Sequence, residues 1–177
     1  MRKNKLLILM LSCVVAFSLA GCREKLKSEE ELIAKAREEI TVAEADTIEV
    51  RLAAKQEKND QALMWFITGN EYQMHRYFPM VFEIVGEDEY VFEGRHNALE
   101  RGQDIVVYNW GDGYSFLVNN SKCKKIQITG NVGGLGAVTE VEIGEGEYPF
   151  HYYYELMPQE YIFLDAVVFI YFGRIRN

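Results

Sequence analysis

The chain has few of the residues that cross-link, ligate or kink a small domain: its 177 residues include three cysteines, three histidines and three prolines. So few cysteines exclude the disulfide-stapled scaffolds of small secreted proteins. His75, His96 and His151 are far apart in sequence and share no metal-ligand spacing. Gly-x-Ser-x-Gly, His-Glu-x-x-His and the Gly-Lys-Ser/Thr phosphate loop are absent as well. The sequence therefore predicts no catalytic residue, no metal site and no cofactor.

Basic residues are too few for a nucleic-acid-binding protein. Lys and Arg number 19 against 27 Asp and Glu, and three of the basic residues precede residue 22, where there is no acid. Residues 22–177 therefore carry 16 basic and 27 acidic side chains, a formal net charge of −11. Because so acidic a surface repels phosphate backbones, we expect no nucleic-acid partner.

The N-terminus has the three-part layout of an export signal. A basic start at residues 2–5 precedes the apolar run Leu6–Leu19, and small residues follow. This run of 14 residues is shorter than the roughly 20 that a membrane-spanning helix needs. Its end, Leu19-Ala20-Gly21-Cys22, resembles the lipobox of bacterial lipoproteins.

The lipobox resemblance implies that residues 1–21 are a signal peptide, removed by cleavage between Gly21 and Cys22. The sulfur of Cys22 would then carry two acyl chains, which hold a protein stably on a membrane where one chain gives marginal attachment. We therefore expect a lipid-anchored protein on the extracytoplasmic face of a bacterial cell membrane. Arg23 replaces the Asp that favours inner-membrane retention in many Gram-negative bacteria, which would allow the outer membrane in such a host. An ordinary cleaved signal peptide is the alternative.

Two features keep an enzymatic alternative open. Cys123 is the one thiol left once Cys13 departs with the signal peptide and Cys22 is acylated, and flanking lysines would favour its thiolate. It precedes an alternating segment, however, where a half-buried structural cysteine is typical. The acid-rich stretch 83–89 could supply a calcium site or a carboxylate pair, although acid runs at turns are more often solvated. An envelope hydrolase with an acidic or Cys123-centred site is therefore the alternative function.

The mature chain is expected to be one domain on a short tether. Residues 22–27 are polar and charged and would form a tether of about 20 Å at most. Residues 28–177 then form a single β-rich domain. The sequence Ser28-Glu29-Glu30-Glu31 matches a capping box, and apolar residues at positions 32, 33, 36 and 40 fall on one stripe. This pattern predicts a helix over about 28–41.

The remainder of the chain has the pattern of an antiparallel β protein. Residues 62–67 are apolar without alternation, as in a strand covered on both faces. Gly111-Asp112-Gly113 predicts a three-residue hairpin loop between strands Ile105–Trp110 and Tyr114–Val118. Apart from the short segment 95–101, no later stretch has the helical period that parallel crossovers require. The predicted fold is mainly β, an antiparallel β-sandwich or a partly open barrel preceded by one N-terminal helix.

The C-terminal segment Ala166–Phe172 is an apolar run without alternation. Even when counted from Tyr161 it has 12 residues, too few to span a membrane as a helix. We predict a central strand there, with an exposed membrane or partner patch as the alternative.

Aromatic residues are the candidate binding residues. Tyr108 and Trp110 share one strand face, as do Tyr152 and Tyr154. A row of aromatic rings on a sheet can bind a glycan or a protein partner, whereas rings that turn inward pack the core. We therefore predict a binding face at these four residues, with core packing as the alternative.

Three segments of the mature chain, residues 114–120, 148–150 and 160–165, resemble small uncharacterised lipoproteins of Gram-positive bacteria. That resemblance implies no known activity. The predicted anchor and the absence of catalytic motifs favour a non-enzymatic binding or accessory module for an envelope protein or glycan. The envelope hydrolase and a purely structural envelope lipoprotein are the alternatives.

Overall fold

The structure is a computed structural model that describes residues 23–40, 48–69, 74–100, 104–132, 135–156 and 164–171. The predicted signal peptide (residues 1–21), its cleavage between Gly21 and Cys22, and the lipidation of Cys22 lie outside the described residues. They therefore stay predictions.

Helix α1 (Glu29–Glu39) begins where the capping box predicts. Ser28 Oγ accepts a hydrogen bond from the backbone N–H of Glu31 at 3.3 Å, and the Glu31 carboxylate accepts one from the backbone N–H of Ser28 at 3.3 Å. These bonds satisfy donors that a helix N-terminus otherwise leaves unpaired. Leu32 and Ala36 are buried on the predicted apolar stripe. The N-terminal helix is therefore confirmed, two residues shorter at its C-terminal end than predicted.

The rest of the described chain forms strands. They are β1 (Val50–Lys58), β2 (Gln61–Thr68), β3 (Arg76–Gly86), β4 (Glu89–Arg95), β5 (Leu99–Glu100), β6 (Ile105–Trp110), β7 (Gly113–Val118), β8 (Cys123–Val132), β9 (Leu135–Glu142), β10 (Phe150–Glu155) and β11 (Leu164–Tyr171). Every pairing between them is antiparallel, in three sheets: sheet I with the order β1-β2-β3-β4, sheet II with β10-β7-β6-β5 and sheet III with β11-β8-β9. The predicted mainly β, antiparallel fold class is confirmed.

The helix and the three sheets stack as four layers. Side chains alternate along β2, so Met64 and Phe66 pack with α1 while Trp65 packs with sheet II. Alternation along β6 likewise sends Val106 towards sheet I and Val107 towards sheet III. Sheets I and II are therefore each covered on both faces, which explains why residues 62–67 are apolar without a period of two.

Three local predictions need correction. The predicted polar turn at residues 55–60 is shorter, because β1 continues to Lys58 and the turn is Asn59-Asp60. The hairpin loop between β6 and β7 has two residues, since Trp110 pairs with Gly113, and Gly111 has the positive φ of 59° that a primed two-residue turn uses. The C-terminal run forms β11, but within the described residues it pairs with β8 alone and is an edge strand.

The segment predicted as a polar tether is docked on the domain. Leu26 is 3% exposed and forms an isolated antiparallel bridge with Tyr90. In the two backbone hydrogen bonds of this bridge, the nitrogen and oxygen atoms are 2.8 and 2.9 Å apart. Arg23 pairs with Glu83 at 2.9 Å, and Glu89 pairs with both Lys25 and Lys27. We name residues Arg23–Lys27 the N-terminal strap. These contacts hold the polar segment that follows the predicted lipidation site against sheet I.

The described part of the chain contains no helix that is long and apolar enough to cross a membrane.

Candidate functional site

A cleft opens where the β1–β2 turn meets the β6–β7 turn, at one end of the interface between sheets I and II. It has a volume of about 200 Å³, and its lining residues are Lys58, Asn59, Asp60, Gln61, Trp110, Gly111 and Asp112. Both turns use left-handed backbone, with φ of 57° at Asn59 and 59° at Gly111. Tight turns at the ends of two stacked hairpins therefore bring polar side chains from two sheets together.

A lysine and two carboxylates tie the cleft to β10. Lys58 Nζ forms ion pairs with Asp112 and, at 2.7 Å, with Glu155. The Tyr153 hydroxyl has two acceptors within hydrogen-bond distance: Asp112 Oδ1 at 3.0 Å and the carbonyl oxygen of Trp110 at 3.1 Å. Its single proton is shared between them. The Lys58 ammonium also lies 5.4 Å from the centre of the Tyr153 ring. Tyr153 is thus the aromatic residue that joins the cleft to the ion pairs.

The close approach of β10 to β7 depends on a glycine. A Cβ at Gly113 would overlap the carbonyl oxygen of Tyr154 and lie 2.7 Å from the Tyr153 ring. A larger residue would push β10 and Tyr153 away from the cleft, so the glycine keeps the site assembled.

The charges of the cleft are fixed near neutral pH. Hydrogen bonds to Asp112 and Glu155 raise the pKa of Lys58, and the hydrogen bond from Lys58 lowers the pKa of Asp112. Burial raises the pKa of the Tyr153 hydroxyl. General acid–base catalysis works best with a group whose pKa is near the working pH. These residues are therefore better suited to binding polar groups than to transferring protons.

The four aromatic residues predicted to bind do not share one face. Tyr108 and Trp110 point towards sheet I, whereas Tyr152 and Tyr154 lie on the other face of sheet II and pack with the core beneath sheet III. Trp110 is 6% exposed and Tyr108, Tyr152 and Tyr154 are half-buried. The four residues therefore do not form the single aromatic binding face that the sequence predicts. Of the four, Trp110 alone lines the cleft.

Tyr153 is a residue of the candidate site that is not among the four aromatic residues predicted from the sequence. Its ring meets Trp110 edge-on, with centroids 5.7 Å apart at 69°, which is a favourable aromatic geometry. The run of three tyrosines at 152–154 indicated that Tyr153 points to the opposite face from Tyr152 and Tyr154, because side chains alternate along a strand. Only the pairing of Tyr153 with Ser115 across β10 and β7 shows which face meets the cleft.

The indole N–H of Trp110 has no hydrogen-bond partner among the described residues, although it is buried. An unpaired buried donor lowers the free energy of unfolding by about 1–3 kcal/mol. Apolar packing with Leu63 and Val81 holds the ring in place despite this loss.

A serine and a histidine meet inside the protein, between sheets I and II. Trp65 Nε1 donates to Ser115 Oγ at 2.7 Å, and Ser115 Oγ lies 2.9 Å from His151 Nε2. Ser115 is completely buried, so its hydroxyl cannot meet a substrate. Burial also lowers the pKa of His151 to about 4, which keeps the ring neutral as an acceptor for the hydroxyl. Trp65, Ser115 and His151 therefore link β2, β7 and β10 through polar contacts within an apolar interface.

Cys123 is completely buried, and burial raises the pKa of its thiol. The Sγ lies 3.6 Å from the carbonyl oxygen of Lys125, and the Tyr148 hydroxyl donates to the Cys123 carbonyl. A reactive thiol needs exposure and a lowered pKa, so this cysteine has the features of a structural one. The flanking lysines do not overcome its burial.

The N-terminal strap pairs with the two ends of the acidic stretch 83–89. Glu83 binds Arg23, and Lys25 and Lys27 hold the pKa of Glu89 at about 2. Across the described ranges, no three His, Cys, Asp or Glu residues lie close enough to hold a metal ion.

A second cleft, of about 210 Å³, lies at the other end of the same interface and is lined by His75, Tyr77 and Asp104 among others. Tyr77 Oη donates to Asp104 Oδ1 at 2.6 Å and accepts from Asn119 Nδ2 at 3.3 Å. Burial and the neighbouring carboxylate raise the pKa of Tyr77. These bonds fix the ends of sheets I and II relative to each other.

In comparison with known proteins, the chain matches no family model, no curated protein and no solved structure.

Proposed function

We propose that this protein is a lipid-anchored module on the extracytoplasmic face of a bacterial membrane, which binds an envelope protein or glycan without catalysing a reaction. The sequence Leu19-Ala20-Gly21-Cys22 supports the anchor and the location. The observation that carries the binding role is the cleft, where polar side chains lie beside Trp110 and Tyr153. Its ion pairs hold their charges near neutral pH, which suits recognition.

Two features count against the hydrolase alternative. Ser115 and Cys123, the two side chains that could be nucleophiles in the contacts described above, are completely buried. Glu83 and Glu89, two of the four acids in the stretch 83–89, form ion pairs with basic residues of the N-terminal strap.

Cys22→Ser tests the anchor. Serine lacks the thiolate that accepts the diacylglyceryl group, so we expect the variant to incorporate no labelled palmitate and to remain an uncleaved precursor, whereas the parent is labelled and shortened. Cys13→Ser is the matched control, because Cys13 lies in the predicted signal peptide and should leave both readouts unchanged. Normal labelling of Cys22→Ser would contradict the lipidation.

Photo-crosslinking in intact cells tests the cleft. A photoreactive amino acid in place of Asp60, an exposed residue of the cleft, should form a discrete adduct with the partner. The same substitution at Glu142, an exposed acid on β9, is the control and should not form it. Adding Tyr153→Phe to the Asp60 reporter should weaken the adduct, because it removes the hydroxyl that holds Asp112. Equal or absent adducts at both positions would exclude the cleft and favour a structural lipoprotein.

A further inference from the structure

The N-terminal strap leaves almost no free chain between the predicted lipid anchor and the domain. Leu26 is fixed to Tyr90 of β4 by two backbone hydrogen bonds and is 3% exposed. Burial of the Leu26 side chain stabilises this docking, and the ion pairs at Arg23, Lys25 and Lys27 add to it. The segment is therefore a fixed part of the fold.

Covalent geometry then limits the distance from the anchor to sheet I. An extended chain advances at most about 3.6 Å per residue, so the four steps from Cys22 to Leu26 span at most about 14 Å. Arg23 and Glu24 also line a shallow pocket together with Val91 and Phe92 of β4. An acylated Cys22 would hold this edge of sheet I next to the lipid headgroups.

The charges at the strap suit that position. The mature chain is acidic overall, with a formal charge of −11, and anionic headgroups would repel most of its surface. Within the strap, three basic residues stand against one acid, Glu24, so residues 23–27 carry a formal charge of +2. The basic residues form ion pairs with Glu83 and Glu89, whose negative charges they balance. The strap therefore lowers the repulsion between this edge of the domain and an anionic membrane.

We propose that the N-terminal strap and the adjoining edge of β4 form a membrane-facing surface, which holds the domain in one orientation on the lipid headgroups. This inference rests on the proposed acylation of Cys22. A free tether would instead let the domain rotate, so that every exposed side would meet the membrane equally often. The partner of this surface is the headgroup layer of the bilayer that holds the anchor.

Nitroxide labels on the mature, acylated protein, from Cys22 to Asn177, test this orientation. One label replaces Glu93, an exposed residue of β4, and its matched control replaces Glu142, an exposed glutamate in sheet III. Two sheet spacings of roughly 10 Å separate these layers. Each protein is purified from membranes and placed in phosphatidylethanolamine–phosphatidylglycerol vesicles that contain nickel-chelating lipid. Cys123 is buried and Cys22 acylated, so the introduced cysteine takes the label.

Nickel at the headgroups should enhance the relaxation of the label at position 93 several-fold more than that of the label at position 142. Inserting a Gly/Ser linker of about eight residues between Cys22 and Arg23 adds a root-mean-square reach of about 16 Å and leaves the strap docked. With this insertion, the ratio of the two relaxation enhancements should fall towards one.

Equal relaxation at the two positions in the acylated parent would overturn the fixed orientation alone, as would a ratio that the insertion leaves unchanged. If the N-terminal peptide has a mass without the acyl group and no protein binds to the vesicles, the anchor and this inference are both overturned. Mass spectrometry of the N-terminal peptide separates the two failures.

Discussion

Replacing Trp65 with alanine is expected to lower the free energy of unfolding by about 3–5 kcal/mol, because it empties a fully buried site between sheets I and II. Domains of this size are stable by about 5–15 kcal/mol, so the variant would lose a large part of its stability. Chemical denaturation followed by far-ultraviolet circular dichroism measures the change.

Two variants separate the contribution of ring volume from that of the hydrogen bond. Trp65→Phe keeps most of the ring and loses the N–H, and Ser115 Oγ still has His151 within 2.9 Å. We therefore expect a smaller loss, of about 1–2 kcal/mol. Leu99→Ala is the exposed control, since Leu99 is 60% exposed, and should change stability by less than about 0.5 kcal/mol. A cost for Trp65→Ala as small as that of Leu99→Ala would disprove this role of Trp65.

Acidification from pH 6.5 to pH 4 is expected to destabilise the protein through His151, by up to about 3 kcal/mol. Burial lowers the pKa of His151 from its usual 6.5 to about 4 in the folded state. Between these values the unfolded chain binds a proton that the folded protein does not. Stability from this residue is therefore complete above pH 6.5 and is lost as the pH falls towards 4.

His151→Gln is the matched control for this effect, because glutamine can accept the hydrogen bond from Ser115 but does not titrate. Urea unfolding at a series of pH values should show a smaller decline for the variant than for the parent between pH 6.5 and 4. Carboxylates with lowered pKa, such as Glu89, contribute mainly at lower pH and are common to both proteins. Parallel curves for parent and variant would show that His151 does not cause the decline.

Features that depend on neighbouring residues were predictable. The capping box formed at Ser28 because its two partners are three residues apart, and the helix dipole and apolar stripe act over the same short range. The apolar run at 62–67 correctly predicted a strand covered on both faces, because its composition reports burial on each side. Turn residues likewise located the β6–β7 hairpin, although the loop was one residue shorter than predicted.

The candidate site was less predictable because its residues come from distant strands. Lys58 meets Asp112 from the β6–β7 turn and Glu155 from the end of β10, and nothing near it in sequence indicates those partners. The aromatic prediction assumed one binding face for four residues. Sheet II is instead covered by other layers on both sides, so Tyr108 and Tyr152 enter different cores.

By itself, the sequence predicted an export signal that resembles a lipobox, and it determined the acidic net charge of residues 22–177, the N-terminal helix and the mainly β, antiparallel class. The last three follow from composition or from contacts within a few residues. Only the tertiary structure decided that residues 23–27 are a docked strap and that Tyr153 contacts Trp110 and Asp112 of the cleft. Charged residues are usually solvated, and Arg23 and Lys25 find partners only once β3 and β4 place Glu83 and Glu89 beside them. Such contacts depend on how layers stack and how strands align, which no local pattern encodes.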